Sequence, residues 1–240
     1  MEPLDILYTP LDVPPPPKID FNKLYQWIKD NHTKQYIDIR PDASLKVPNK
    51  IYPWNIIYPR YKNVWCLNFN KKFPELANYF SVFGDVKTIP FGTIAILPVK
   101  TEFDGIGFWH SDPDDYGLRL YLENNDTVNS LGLAPTVLPY NERNTELSQI
   151  GKKLHDTKVT HPLLQKQQIY VTTTNRHAFF INNIRAFHTV KTNIKGSSRM
   201  AIIIGSVQPM RTMPLQIKQL IINSALKYKD EAVLWTPEQS

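Results

Sequence analysis

The chain has 240 residues, with 28 Lys and Arg against 22 Asp and Glu, a formal charge of +6, and 42% hydrophobic residues. That is enough chain to bury a full core without staples, and its composition excludes disordered and collagen-like classes. A single cysteine, Cys66, excludes an internal disulfide and any cysteine-rich zinc or iron–sulfur site held by this chain alone.

Residues 1–20 hold Pro3, Pro10 and the run Pro14–Pro17, which fixes an extended arm over the domain surface. A helix is expected over Asp20–Asn31, where Phe21, Leu24, Tyr25 and Ile28 recur at helical spacing and Asp20 can cap. Residues 40–70 are rich in proline and aromatics and imply short strands and loops. A short helix is expected through Pro74–Phe83, with Gly84 after its end. The aromatics between Tyr52 and Phe83 alternate with Arg60, Lys62, Lys71 and Lys72, a pattern that reads as packing or as a base-stacking surface.

From Thr88 onward the texture is that of strands. They are expected at Thr88–Pro90, Thr93–Val99, Gly117–Glu123, Ile169–Thr174, Ala178–Ile181, Phe187–Lys191 and Met200–Val207. Residues 124–168 read as a polar insert, with a helix near Thr145–Leu154. The tail Pro214–Tyr228 reads as an amphipathic helix whose apolar face carries Leu215, Ile222 and Leu226, with Ile221 beside them. The expected organisation is one domain over 1–240: an arm and aromatic region (1–87), a β core (88–207) and a C-terminal helix (208–240). An antiparallel barrel or sandwich with helices outside fits this order.

The most apolar stretches are too short to span a bilayer, so no membrane partner is expected. The N-terminus has no signal-peptide pattern, and the expected location is cytoplasmic.

Two segments carry chemistry. In Phe108-Trp109-His110-Ser111-Asp112, His110 and Asp112 are two apart, so on an extended chain they share a face. His188 lies in the strand-like Phe187-His188-Thr189-Val190. Two imidazoles and one carboxylate suit non-haem Fe(II) and leave coordination positions open. Arg199 follows His188 across a turn at 194–197. Pairing of the two strands there would bring it about one residue pair from His188. A buried guanidinium needs an anion, and a dicarboxylate would pair it through two parallel hydrogen bonds. Taken singly, each residue has a plainer reading: a surface His–Asp pair, a satisfied strand histidine, an ordinary surface arginine. His32, His155, His161 and His177 read as helix-end, solvated or turn residues.

The set His110, Asp112, His188 and Arg199 resembles the motif of the Fe(II)/2-oxoglutarate-dependent oxygenases. Within them it is most similar to the aspartyl/asparaginyl β-hydroxylase-like branch. Arg119, nine residues after His110, matches that branch's second arginine, and Phe180-Ile181-Asn182-Asn183 matches its turn before the distal histidine. The resemblance implies a mainly β, double-stranded β-helix (jelly-roll, cupin-like) core with flanking α-helices. It implies Fe(II) on His110, Asp112 and His188, and 2-oxoglutarate held by Arg199 with help from Arg119. Dioxygen would be the third reactant, and an amino-acid side chain, free or in a peptide or protein, would be hydroxylated. The alternatives are a nucleic-acid oxygenase or demethylase with the same iron site, motivated by the +6 charge, and a non-catalytic jelly-roll binding protein.

Overall fold

The structure is a computed structural model. It describes residues 1–31, 57–61, 64–83, 93–100, 105–106, 116–124, 129–135, 169–172, 176–192, 198–205 and 213–236. His110, Asp112, the expected strand at 88–90 and the expected helix at 145–154 lie outside them.

The described residues form twelve strands in chain order. They are β1 (Ile6–Pro10), β2 (Ile57–Tyr61), β3 (Val64–Trp65), β4 (Thr93–Lys100), β5 (Gly105–Ile106), β6 (Tyr116–Asn124), β7 (Asn129–Pro135), β8 (Ile169–Thr172), β9 (Ala178–Asn182), β10 (Ala186–Thr192), β11 (Ser198–Gly205) and β12 (Val233–Leu234). The helices are α1 (Phe21–Asn31), α2 (Phe69–Lys72), α3 (Pro74–Tyr79) and α4 (Leu215–Lys227).

The strands form two antiparallel sheets. The larger has the order β12-β1-β9-β6-β11-β4-β2-β3 and the smaller β5-β10-β7-β8. Between β4 and β11 the chain moves from sheet to sheet. β4, β6, β9 and β11 enter the larger, and β5, β7, β8 and β10 the smaller. The chain is therefore mainly β with helices against it, as expected.

Strand alternation sorts the larger sheet's residues between two cores. Tyr116, Leu118, Ala178 and Phe180 turn to one side and pack with Leu24, Trp27 and Ile28 of α1 and Ile217, Ile221 and Ala225 of α4. Phe179 and Ile181 turn to the other and pack with Leu131 and Leu133 of β7 and Ala186 of β10. This second core lies between the sheets. β6 carries one extra residue, Leu122, opposite the Met200–Ala201 step of β11, a bulge of the kind that sits beside functional sites.

Four differences from expectation have physical causes. Ile6–Pro10, read as part of a surface arm, is a fully buried strand between β9 and β12. Residues 129–135, read as the start of a polar insert, form β7, because Leu131 and Leu133 supply the alternate apolar positions of a core strand. The buried face of α4 is Ile217, Ile221, Ser224 and Ala225, while Leu215 and Leu226 are exposed. Small Ser224 and Ala225 allow close approach there, and the Ser224 hydroxyl accepts a hydrogen bond from the Asp12 amide at 2.9 Å. Finally, β10 and β11 do not pair. β10 pairs with β5 and β7, and β11 with β4 and β6. The expected closeness of Arg199 to His188 through a shared hairpin is therefore corrected.

Other expectations hold. Asp20 caps α1 through its side chain to the Lys23 amide at 3.0 Å. The proline run is tied down at its start, where the Tyr79 hydroxyl donates to the Pro14 carbonyl at 2.6 Å. Burial pushes the Tyr79 hydroxyl well above the usual phenol range. Cys66 is buried, and among the described aromatics of the expected stacking region Phe69, Phe73, Tyr79, Phe80 and Phe83 are buried too. Trp65 stacks on Phe69, and Trp27 meets Phe69 and Phe73 edge-on. Those rings are core, and a base-stacking platform needs exposed faces.

Candidate functional site

His188 stands on β10, opposite Leu133 of β7, in the middle of the smaller sheet. Arg119 stands on β6 of the larger sheet, between Phe179 of β9 and Ile203 of β11. Alternation sends Tyr116 and Leu118 to the helix side, so Arg119 projects to the other side, toward β10. The two side chains meet there: Arg119 Nη2 lies 3.0 Å from His188 Nε2.

That contact fixes a protonation state. A guanidinium only donates and does not lose its proton in proteins. His188 Nε2 must therefore accept, so the ring is neutral with its proton on Nδ1. His188 is 2% exposed. Its Nε2 lone pair is thus held toward the space between the sheets, with the chemistry of a metal ligand.

Gly117, two residues before Arg119, flanks the guanidinium. A Cβ at 117 would lie 3.6 Å from Arg119 Nε, 3.9 Å from its Nη2 and 3.7 Å from Asn183 Nδ2. Asn183 belongs to the turn between β9 and β10 and is fully buried. Its neighbour Asn182 builds that turn. The Asn182 side-chain oxygen accepts from the amides of Ile184 (3.0 Å) and Arg185 (3.2 Å). Its amide nitrogen faces the carbonyls of Pro3, Leu4 and Ile6 at 3.4, 3.3 and 3.1 Å. One buried asparagine, five residues before Phe187, therefore fixes both the entry of β10 and the N-terminal segment beside it. Gly117 was not singled out by sequence reasoning; the sequence signal available was a glycine two residues before an arginine in an otherwise apolar strand.

Of the five residues expected at the site, the structure brings Arg119 and His188 together. Arg199 is placed by its backbone on β11, opposite Val99 of β4 and Asn124 of β6. His110 and Asp112 lie outside the described residues. Among the described residues no three His, Cys, Asp or Glu side chains stand close enough to hold a metal. His177, expected in a turn, donates its Nε2 proton to the Val13 carbonyl at 2.8 Å, a structural role. Among the described residues no helix is long and apolar enough to cross a membrane.

No protein-family model matches the chain, and no curated protein matches it in sequence. Solved structures overlap with its fold. AviO1 from Streptomyces viridochromogenes Tue57 is 15% identical, with 88% of this chain and 93% of that chain covered at a TM-score of 0.39. EctD from S. alaskensis, solved with 2-oxoglutarate and 5-hydroxyectoine, is 12% identical, with 90% and 80% covered at a TM-score of 0.37. SnoN, a non-heme alpha ketoglutarate dependent epimerase from nogalamycin biosynthesis, is 11% identical, with 84% and 77% covered at 0.36. Likeness at this level assigns neither reaction nor substrate to this chain.

Proposed function

We propose that the chain is an Fe(II)- and 2-oxoglutarate-dependent dioxygenase on a double-stranded β-helix, and that it hydroxylates an amino-acid side chain, free or within a peptide or protein. The observation that carries this reading is the neutral His188, buried between two sheets with its Nε2 lone pair met by the guanidinium of Arg119. The strand order supports the fold. β4-β11-β6-β9 and β5-β10-β7-β8 are two four-stranded antiparallel halves filled by a chain that alternates between them, as in a jelly roll. His110 and Asp112 fall in the sequence between β5 and β6, whose ends the sheet order brings into the same double layer as β10.

The donor set fits the metal. Two imidazoles and a carboxylate on non-haem Fe(II) leave positions for a chelating co-substrate and dioxygen. In this reading His110, Asp112 and His188 hold the iron. Arg199 holds the far carboxylate of 2-oxoglutarate, helped by Arg119. Iron with 2-oxoglutarate and dioxygen supplies the oxidation: one oxygen atom enters the substrate C–H bond, the other enters succinate, and CO2 leaves. The chain's own part is to keep water out, through Phe179, Ile181, Leu131 and Leu133, and to hold the co-substrate through its arginines.

The test is succinate formation from 2-oxoglutarate under air with added Fe(II) and ascorbate, alongside metal binding by the anaerobic protein. Wild type should bind one Fe(II) and form succinate, and His188→Ala should lose both. A wild-type chain that binds no divalent metal and forms no succinate would overturn the proposal.

A further inference from the structure

We infer that Arg119 is a positioning residue that exchanges partners: it occupies the Nε2 lone pair of His188 in the metal-free protein, and a dicarboxylate draws it away and so releases His188 to the metal. This rests on the reading of His188 as a metal ligand. The steps are chemical. Imidazole Nε2 has one lone pair, which a guanidinium proton and a metal ion cannot share. In this structure the guanidinium holds it at 3.0 Å. At 2% exposure of His188, water is poorly placed to take over that bond. A divalent cation arriving at Nε2 must also face the positive charge of Arg119 at close range, in surroundings where charge is weakly screened.

A carboxylate reverses this balance. It offers a guanidinium two parallel charge-assisted bonds in place of one bond to a neutral ring. Gly117 leaves the flank of the guanidinium open by one methyl group, since a Cβ there would already be in van der Waals contact with Nε. Arg119 itself is only half-buried. The side chain therefore has both a reason to move and a side on which no Cβ opposes it. The consequence is a coupling between anion and metal that does not depend on the anion chelating the metal through a 2-oxo group. The co-substrate would then do more than bind to loaded iron: by removing a competitor, it would help load the site.

The experiment is titration of the full chain with Mn(II), read by calorimetry, with and without glutarate, a dicarboxylate lacking the 2-oxo group. Without anion, Arg119→Gln should bind Mn(II) roughly tenfold or more tightly than wild type, because no charge-assisted hydrogen bond has to be given up. Glutarate should tighten Mn(II) binding several-fold in wild type and leave Arg119→Gln unchanged. The nitrogen-15 resonance of His188 Nε2 in the metal-free protein should also move in the variant. Arg119→Met makes the same test if Arg119→Gln does not fold. Equal or weaker Mn(II) binding by the variants, or an equal glutarate effect in all forms, overturns the exchange while leaving His188 a ligand. Failure of every form to bind Mn(II) overturns the ligand reading and the exchange with it.

Discussion

Replacing Asn182 with alanine should destabilise the protein by about 3 kcal/mol. The side chain is fully buried, so nothing replaces its bonds without rearrangement. Its oxygen accepts two backbone amides, at 3.0 and 3.2 Å. Its two N–H hydrogens face three carbonyls, of which Ile6 at 3.1 Å is nearest; Leu4 and Pro3, at 3.3 and 3.4 Å, share what remains. Counting three well-made bonds at about 1 kcal/mol each gives the total, and leaving buried groups unsatisfied keeps it from being smaller. With a urea dependence of about 2–3 kcal/mol per molar for a chain of this size, the unfolding midpoint should fall by about 1 M, followed by tryptophan fluorescence. Asn182→Asp sharpens the test. The carboxylate keeps the accepting role and loses the donating one. Its charge, buried against three carbonyls, raises its folded-state pKa. The added penalty should therefore vanish below the ordinary carboxyl pKa of about 4 and grow as pH rises above it. A midpoint change under about 0.2 M for Asn182→Ala, or an Asp variant with no pH-dependent penalty, would refute the reasoning.

Two further predictions follow from the helical side of the fold. Ile221→Ala, on the buried face of α4, should cost about 2–4 kcal/mol in urea unfolding, whereas Leu226→Gln, on the exposed face, should change stability by less than about 0.5 kcal/mol. Comparable losses for both would show the helix docked on its other face. The Lys227 ammonium, hydrogen-bonded to Asp12 at 2.6 Å, holds the Asp12 carboxyl below its usual range, with burial opposing and the Lys227 charge assisting. Lys227→Met should return the Asp12 pKa upward in an NMR titration. Both groups are about half exposed, so solvent screens the pair and the unfolding midpoint should barely move. The pair's small contribution is present above the unfolded carboxyl pKa and disappears as pH falls through the folded one, so variant and wild type converge in acid.

The sequence made the strands of the core legible where β-branched and aromatic residues accumulate. β4, β6, β9, β10 and β11 stand within a few residues of their expected places. β1 was hidden because it is buried throughout, which removes the alternation that marks a half-exposed strand, and because prolines crowd its end. β7 was hidden by Gly132 and Pro135 and by a stretch of Asn, Ser and Ala that carries little β propensity. The face of α4 was misread because Leu and Ile outrank Ser224 and Ala225 in hydrophobicity, while close packing and a hydrogen bond to Asp12 chose the smaller residues. At the site, His188 was legible from its strand-like segment and Arg119 only through the family resemblance. Their contact was not, because it crosses from one sheet to the other and no local pattern encodes it.

β1 pairs with β9 on one side and with β12 on the other. The bond from Asn182 to the Ile6 carbonyl joins residues 176 apart in the chain. The apolar segment of β1 is thus an orphan until the distant strands β9 and β12 reach it. These long-range pairings put a large loop-closure cost ahead of completing the larger sheet, which makes this fold a slow one to close.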